Sequence, residues 1–378
     1  MKMGPHSSPG FESRVRLEID LPTLAENFRR IAKNVFPARV MAVLKADAYG
    51  MGVLPVAQTV IRAGADRIGV AELGEAAILS PRVRVPVQVL SGLLPQEVAG
   101  AVALGVVCPV TDLALARALS KEAARCRKTV RFHFKIDTGM GRMGIPVSEA
   151  EAVIRRVMKL PRLEAEGIFT HFANANLSDD PRTSRQIAAF GALLGRIKDI
   201  PFRLVHLANS DGINNFPSAY ADLVRTGINL YGVFDLSGRH AYRLKPTLRL
   251  KTRLIAKRLL PAGHPIGYGG THLLKAATWV GTLPAGYEDG LPLALSNRGR
   301  VLIRGISCPI LGRISMDYTT VDLTACAKAR VGDEAILFGR GGKHEITVED
   351  WARIKNTHPY DILCALGRRV ERVYLGGP

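Results

Sequence analysis

The sequence has no stretch of about eighteen consecutive apolar residues, which excludes an ordinary membrane-spanning helix. It also lacks any C-x-x-C pair: the five cysteines, Cys108, Cys126, Cys308, Cys326 and Cys364, are odd in number and dispersed. That usage argues against a disulfide framework or a zinc site and for reduced thiols in a cytoplasmic protein. Acidic residues are scarce beside basic ones, 33 against 52, giving a formal charge of +19. Such an excess can mark a nucleic-acid or membrane-surface partner. Here Lys and Arg run from end to end without a block longer than a pair or so, and no zinc finger, aromatic-rich binding strand or Lys-rich tail accompanies them. The reading is a basic surface that aids solubility and attracts anions, with no nucleic-acid or membrane partner. Residues 1–10, rich in Gly, Pro and Ser without an apolar core, read as a disordered leader and not a secretory signal.

What the sequence does contain is enough chain for a barrel plus a second domain: 378 residues, 47% of them hydrophobic. Up to about residue 243, short apolar runs of strand length alternate with longer helical patterns. The candidate strands are 40–44, 67–71, 85–90, 105–108, 130–136, 166–170, 202–207 and 222–225. Helical stretches are expected over 21–34, 54–63, 112–124, 149–159 and 183–198. Thr111-Asp112 and Pro181 supply helix-start chemistry. The pattern predicts a parallel (β/α)₈ TIM barrel over 11–243. Residues 11–19 read as a strand expected to pair with the C-terminal domain. From 244 to 378 the texture changes to Val, Ile and Thr runs broken by Gly and Pro, over 248–259, 276–283, 300–306, 318–323 and 334–338. This predicts a mainly β-strand domain with short helices at 348–354 and 361–366.

In such a barrel, functional residues sit at the C-terminal ends of strands and in the loops that follow. Lys45 directly follows the first apolar run, and desolvation there would lower its pKa as a Schiff-base lysine requires. A lysine that ends the strand and reaches solvent explains the position equally well. The neighbours decide between them. Lys135 to Arg142 follows the fifth strand, His171 the sixth, Asn209-Ser210 the seventh, and Arg225 with Gly227-Ile228 ends the eighth. The last two loops are where such barrels commonly bind phosphate, with hydroxyl and backbone N–H donors and Gly for close approach. One amine, a phosphate cradle and strand-end Arg and His together describe a pyridoxal phosphate site.

Eight motifs then occur in order: Lys45-Ala-Asp-Ala-Tyr49-Gly, Lys135-Ile-Asp-Thr-Gly-Met-Gly-Arg142, His171-Phe-Ala, Val224-Arg225 with Gly227-Ile228, Ile266-Gly-Tyr268-Gly, Ala285-Gly-Tyr287-Glu-Asp-Gly, Gly312-Arg-Ile-Ser-Met316-Asp317 and Pro359-Tyr360-Asp-Ile-Leu-Cys364. Over nearly the whole chain the pattern resembles the alanine racemase family of barrel-type pyridoxal enzymes. The resemblance implies that Lys45 holds the cofactor covalently and is the base for one alanine enantiomer. Tyr268, supplied by a partner subunit of a homodimer, would be the base for the other. Tyr49, Ser210, Gly227, Ile228 and Tyr360 would form the phosphate shell, with Asn209 nearby. Arg225 would donate to the pyridine nitrogen, oriented by His171. Arg142 would meet the cofactor's phenolic oxygen and the substrate carboxylate, and Tyr287, Met316 and Asp317 would shape the substrate pocket. Lys135 would be carbamylated, turning a repelling cation into an anion that clamps Arg142; a Lys paired with Asp137 is the simpler alternative. The implied substrates are L- and D-alanine, the latter destined for cell-wall peptidoglycan.

Arg225 fits a racemase on physical grounds. Arginine stays protonated, so it cannot give its proton to the ring, and the ring remains a weak electron sink. A poorly stabilised carbanion is reprotonated quickly, which suppresses transamination and decarboxylation.

Three positions depart from the family pattern: Met51 replaces a common His, Asn176 a common acid, and Leu293 a common Arg. The last two would remove a charged pair at the substrate entrance together, which puts substrate breadth in doubt and leaves a broad-specificity or serine racemase as the alternative. A related decarboxylase would need its own Asp and Cys motif and a Gly-rich phosphate loop, neither of which is evident. A non-catalytic cofactor carrier would lack the β domain.

Overall fold

The computed structural model of the chain describes residues 13–234 and 243–377. The leader expected at 1–10 lies outside the described residues. The chain divides into two compact units, Leu24–Lys245 and a second made of the residues before and after it. The lines between them fall at Thr23/Leu24 and Lys245/Pro246.

Among the described residues of the first unit, eight parallel strands form the barrel: Arg39–Val43, Arg67–Val70, Val87–Val89, Cys108–Val110, Val130–Asp137, Leu163–Phe169, Leu204–His206 and Leu223–Thr226. The first four-stranded run is ordered eighth-first-second-third, and the other runs fourth to seventh. Backbone hydrogen bonds join the two runs on both sides. Val89 N donates to Val107 O at 3.0 Å on one side, and Arg225 N donates to Ala208 O at 2.9 Å on the other. Closure leaves no open edge, so each strand is covered on both faces and reads as a short apolar run instead of an alternating one. The helix Leu21–Val35 shows the outer layer's logic: Leu24, Phe28, Ile31 and Val35 fall on one face and are buried.

One strand and two helices of this unit differ from expectation. The fourth strand is Cys108–Val110 and not 105–108, because Gly105 takes a left-handed conformation (φ 66°) that ends the preceding helix Val98–Leu104. That helix and Leu73–Leu79, seven residues each, are too short to show a full helical period in sequence.

In the second unit, strand Arg16–Asp20 pairs antiparallel with Leu248–Arg253 and parallel with Glu371–Leu375. The run expected at 248–259 is two strands, Leu248–Arg253 and Ala256–Leu260. The expected 300–306 run is likewise a hairpin, Arg300–Ile303 and Ile306–Leu311, turned at Arg304 and Gly305. Strand Glu371–Leu375 is partly exposed throughout, so it carries no alternation to read. No helix among the described residues is long and apolar enough to cross a membrane.

Candidate active site

At the C-terminal rim of the barrel, the chain after the first strand enters a turn unlike any ordinary helix. Ala46, Asp47, Ala48 and Tyr49 have φ of 52°, 53°, 56° and 61°, a left-handed turn made without a glycine. Each such residue costs about 1–2 kcal/mol, so the surroundings must hold it. They do so with specific bonds: the Glu75 carboxylate accepts from Ala46 N, Asp47 Oδ1 accepts from Val53 N at 2.7 Å, and Tyr231 OH donates to Ala48 O at 2.8 Å. Strain retained this way is characteristic of functional loops. Lys45 begins the turn and is exposed at the rim. The strand stops at Val43, and the turn leaves Lys45 at the mouth, where the solvent-reaching reading of a strand-end lysine also placed it.

Tyr49, by contrast, is buried beside Tyr231, their rings edge-on at 6.3 Å. The next loops converge on it. Asn209 caps the short helix Ser210–Asn215, its Oδ1 accepting from Gly212 N at 2.9 Å. The buried Ser210 Oγ accepts from Gly227 N at 2.9 Å, which ties this helix start to the turn Ile228–Tyr231. A Cβ at Gly227 would collide with the Tyr49 hydroxyl. The structure thus brings Tyr49, Ser210 and Gly227 together, with Ile228 beginning the adjoining turn, and only a glycine at 227 lets the Tyr49 hydroxyl approach.

Deeper in the barrel, Arg225 is only 3% exposed. Its guanidinium donates to the carbonyls of Thr170 and Leu207, both at 2.8 Å, and to His206 Nδ1 at 2.9 Å and His171 Nδ1 at 3.1 Å. Sequence reasoning named His171 as a neighbour and missed His206, although a histidine inside the apolar run Leu204–Leu207 was the available signal. Burial pushes the Arg225 pKa down to about 9. Burial, then the Arg225 charge, holds His171 well below its usual range, so it is a neutral acceptor.

Lys135 lies on the fifth strand, 6% exposed, with Nζ donating to Leu90 O at 2.7 Å and 4.8 Å from the Phe169 ring centre. It shares a crevice with Asp137, Met140, Arg142 and His171. Asp137 shapes the loop that carries the exposed Arg142, one carboxylate oxygen accepting from Gly139, Met140 and Gly141 N–H. Burial first, then the cations Arg225, Arg142 and Lys45, lower the Lys135 pKa from 10.5 to about 7. Unfolded, the amine keeps its proton up to its ordinary range, so between pH 7 and 10.5 the unfolded chain holds more protons. In carbon-dioxide-free buffer, stability is therefore expected to rise with pH across that window. Lys135→Met should flatten that part of a denaturation-versus-pH curve, and an unchanged slope would refute the assignment.

In the second unit, the 71%-exposed Tyr268 stands on a turn with Gly267 and Gly269 at φ 71° and 74°. Gly267 lies against the backbone of Arg313, and Tyr287 N and Glu288 N donate to Ser315 O and Met316 O at 3.0 and 3.1 Å. These bonds gather Tyr268, Tyr287, Met316 and Asp317 on one set of loops. Arg369, unremarked in the sequence reading, anchors them by donating to Asp289 and to Asp317 at 2.7 Å each. Tyr360 is half-buried on helix Pro359–Cys364.

Comparison with known proteins settles the family. The alanine racemase N-terminal domain matches residues 19–235 and the alanine racemase C-terminal domain residues 247–374. This chain belongs to the alanine racemase family. It is 38% identical to the alanine racemase of Syntrophobacter fumaroxidans over 365 residues, covering 96% of this chain and 97% of that protein. The solved alanine racemase of Streptomyces lavendulae superposes with a TM-score of 0.91 at 32% identity, covering 97% of this chain and 98% of that one. That of Bartonella henselae, which carries covalently bound pyridoxal phosphate, gives 0.88 at 30% identity, covering 96% and 100%.

Proposed function

We propose that the chain interconverts L- and D-alanine with pyridoxal phosphate as cofactor. The observation that carries this reading is the barrel mouth itself: one amine at Lys45, an anion cradle at Tyr49, Ser210 and Gly227, and the buried donor Arg225. When bound, the cofactor supplies an electron-withdrawing ring that acidifies the substrate Cα–H. Ser210, Gly227, Ile228 and Tyr49 would hold its phosphate, with Asn209 capping the adjoining turn and Tyr360 closing the shell. Arg225 would donate to its ring nitrogen and Arg142 would bind the substrate carboxylate. Lys45 and Tyr268 would hold and move the proton on opposite faces of Cα, because a single base would return it to its own side.

Tyr268 would come from a second copy in a homodimer, together with Met316 and Asp317, while Tyr287 lines the same pocket. The exposed apolar side chains of the β unit, Tyr268, Leu273, Leu293 and Met316, support such an interface. Lys135, its pKa lowered to about 7 so that a substantial share is unprotonated near neutral pH, would add carbon dioxide at Nζ, losing one proton to become a carbamate that neutralises Arg142; an intact mass lacking one carbon dioxide, with no anion beside Lys135, would refute this. The cytoplasmic supply of D-alanine to peptidoglycan follows as the cellular role, tested by rescue of a D-alanine-requiring bacterium.

The decisive experiment is an absorbance scan of the purified protein followed by alanine racemisation. A visible band abolished by borohydride, with conversion in both directions, is expected; a colourless, inactive protein would overturn the reading. Gly227→Ala should weaken cofactor binding about 10–100-fold by forcing Tyr49 out of the cradle, read by equilibrium titration. Leu293 is 53% exposed where the family often has Arg, which favours a less polar entrance and broader substrate use. Measurable turnover of serine or lysine beside alanine is expected, and strict alanine preference would count against it.

A further inference from the structure

Below the cofactor pocket, the barrel interior holds a continuous chain of buried polar side chains. Arg67, at the start of the second strand, donates to both carboxylate oxygens of Glu166 at 3.0 and 3.2 Å. His133 Nε2 lies 3.1 Å from Glu166 Oε2, and His133 Nδ1 lies 2.8 Å from His206 Nε2. His206 Nδ1 in turn meets the Arg225 guanidinium at 2.9 Å. Arg67, Glu166, His133, His206 and Arg225 are all buried. They come from five different strands and climb from the N-terminal end of the barrel towards the rim.

The proton direction in this chain is set at the Arg225 end, and at the other end the 3.1 Å contact of His133 Nε2 with Glu166 outweighs a longer 3.4 Å approach of Arg67 Nη1 to the same nitrogen. Arginine only donates, so His206 Nδ1 is an acceptor, and a neutral His206 must carry its proton on Nε2. That proton points at His133 Nδ1, which therefore accepts, leaving the His133 proton on Nε2 to meet Glu166. Burial opposes ionisation of Glu166, but its hydrogen bonds with His133 and Arg67 hold the carboxyl well below the usual carboxylate range, so it is an acceptor only. Burial lowers His133 to about 4 and holds His206 well below its ordinary range, so both stay neutral at working pH. Reversing one tautomer would set two donors or two lone pairs face to face in a low-dielectric interior, where an unmade hydrogen bond costs about 1–3 kcal/mol.

We propose that Glu166, His133 and Arg67 are positioning residues that act through His206 to hold Arg225 as a charged, fixed donor to the cofactor ring. The acceptors around Arg225 are carbonyls and neutral imidazoles, so the relay is what brings it the influence of a carboxylate. A tilted Arg225 would leave the ring nitrogen open to a proton from water. The inference rests on the cofactor reading above, but the tautomer order does not.

The test is nitrogen-15 NMR of the three imidazoles His133, His171 and His206 in the holoenzyme across pH 6 to 9, the resonances identified by single His→Gln variants. All three are expected as neutral Nε2–H tautomers over that range. An Nδ1–H or doubly protonated His133 or His206 in the unaltered protein overturns the relay. Glu166→Gln, and the double change Glu166→Leu with Arg67→Leu should the single variant not fold, are expected to broaden or shift the His206 signals. KM should stay within about threefold, while pyruvate released per racemic turnover rises about tenfold or more. A folded variant with unchanged His206 signals and unchanged pyruvate yield shows these residues to be scaffold only and overturns the proposal. If no cofactor band forms even in the unaltered protein, the cofactor reading fails, and the tautomer pattern still decides the relay.

Discussion

Replacing Lys45 with Ala is expected to slow racemisation about ten-thousandfold or more, because the proposed covalent anchor and one of the two proposed bases leave together. Lys45→Arg should be just as inactive: it keeps the positive charge at the rim but cannot act as an amine nucleophile, since arginine is not deprotonated in a protein. The pair of variants separates charge from nucleophilicity. Neither should lose more than about 0.5 kcal/mol of stability, the usual range for a surface position, because Lys45 is exposed. The left-handed turn that follows it is held by bonds to Glu75, Asp47 and Tyr231. The measurement is initial rate in both directions beside the visible spectrum and the unfolding midpoint. A Lys45→Arg protein retaining a tenth of the rate would refute the role.

Tyr268→Phe should cost about 10²–10⁴-fold in racemisation, the range for removing a positioned acid or base. Its more telling effect is on isotope exchange. With Lys45 intact, one enantiomer of alanine should still trade its Cα hydrogen for solvent deuterium, while inversion to the other enantiomer nearly stops. The wild-type protein should show exchange and inversion together from either side. Equal losses of exchange for both enantiomers would mean that Tyr268 only positions substrate, and unchanged inversion would remove it from the chemistry. Because Tyr268 is 71% exposed on its own unit, the change should leave the fold of that unit intact.

Much of the barrel was legible because closure buries each strand on both faces, and a doubly buried strand is a short apolar run between helical patterns. The hairpin at Arg304–Gly305 was not, since a run of β-forming residues does not declare where it folds back. The strand Glu371–Leu375 escaped because partial exposure along its whole length erases the alternation.

By itself the sequence determined that a lysine follows the first barrel strand, that turns bearing Asn209-Ser210 and Gly227-Ile228 follow the last two, and that an arginine ends the eighth. Each of these is a local matter of residue type beside a strand end. The tertiary structure decided what those groups are. It left Lys45 at an open rim, lowered the Lys135 amine by burial among cations, and joined Arg67, His133, Glu166 and His206 to Arg225. These residues lie far apart along the chain, and their protonation depends on loss of water and on partners from other strands, neither of which a linear pattern contains.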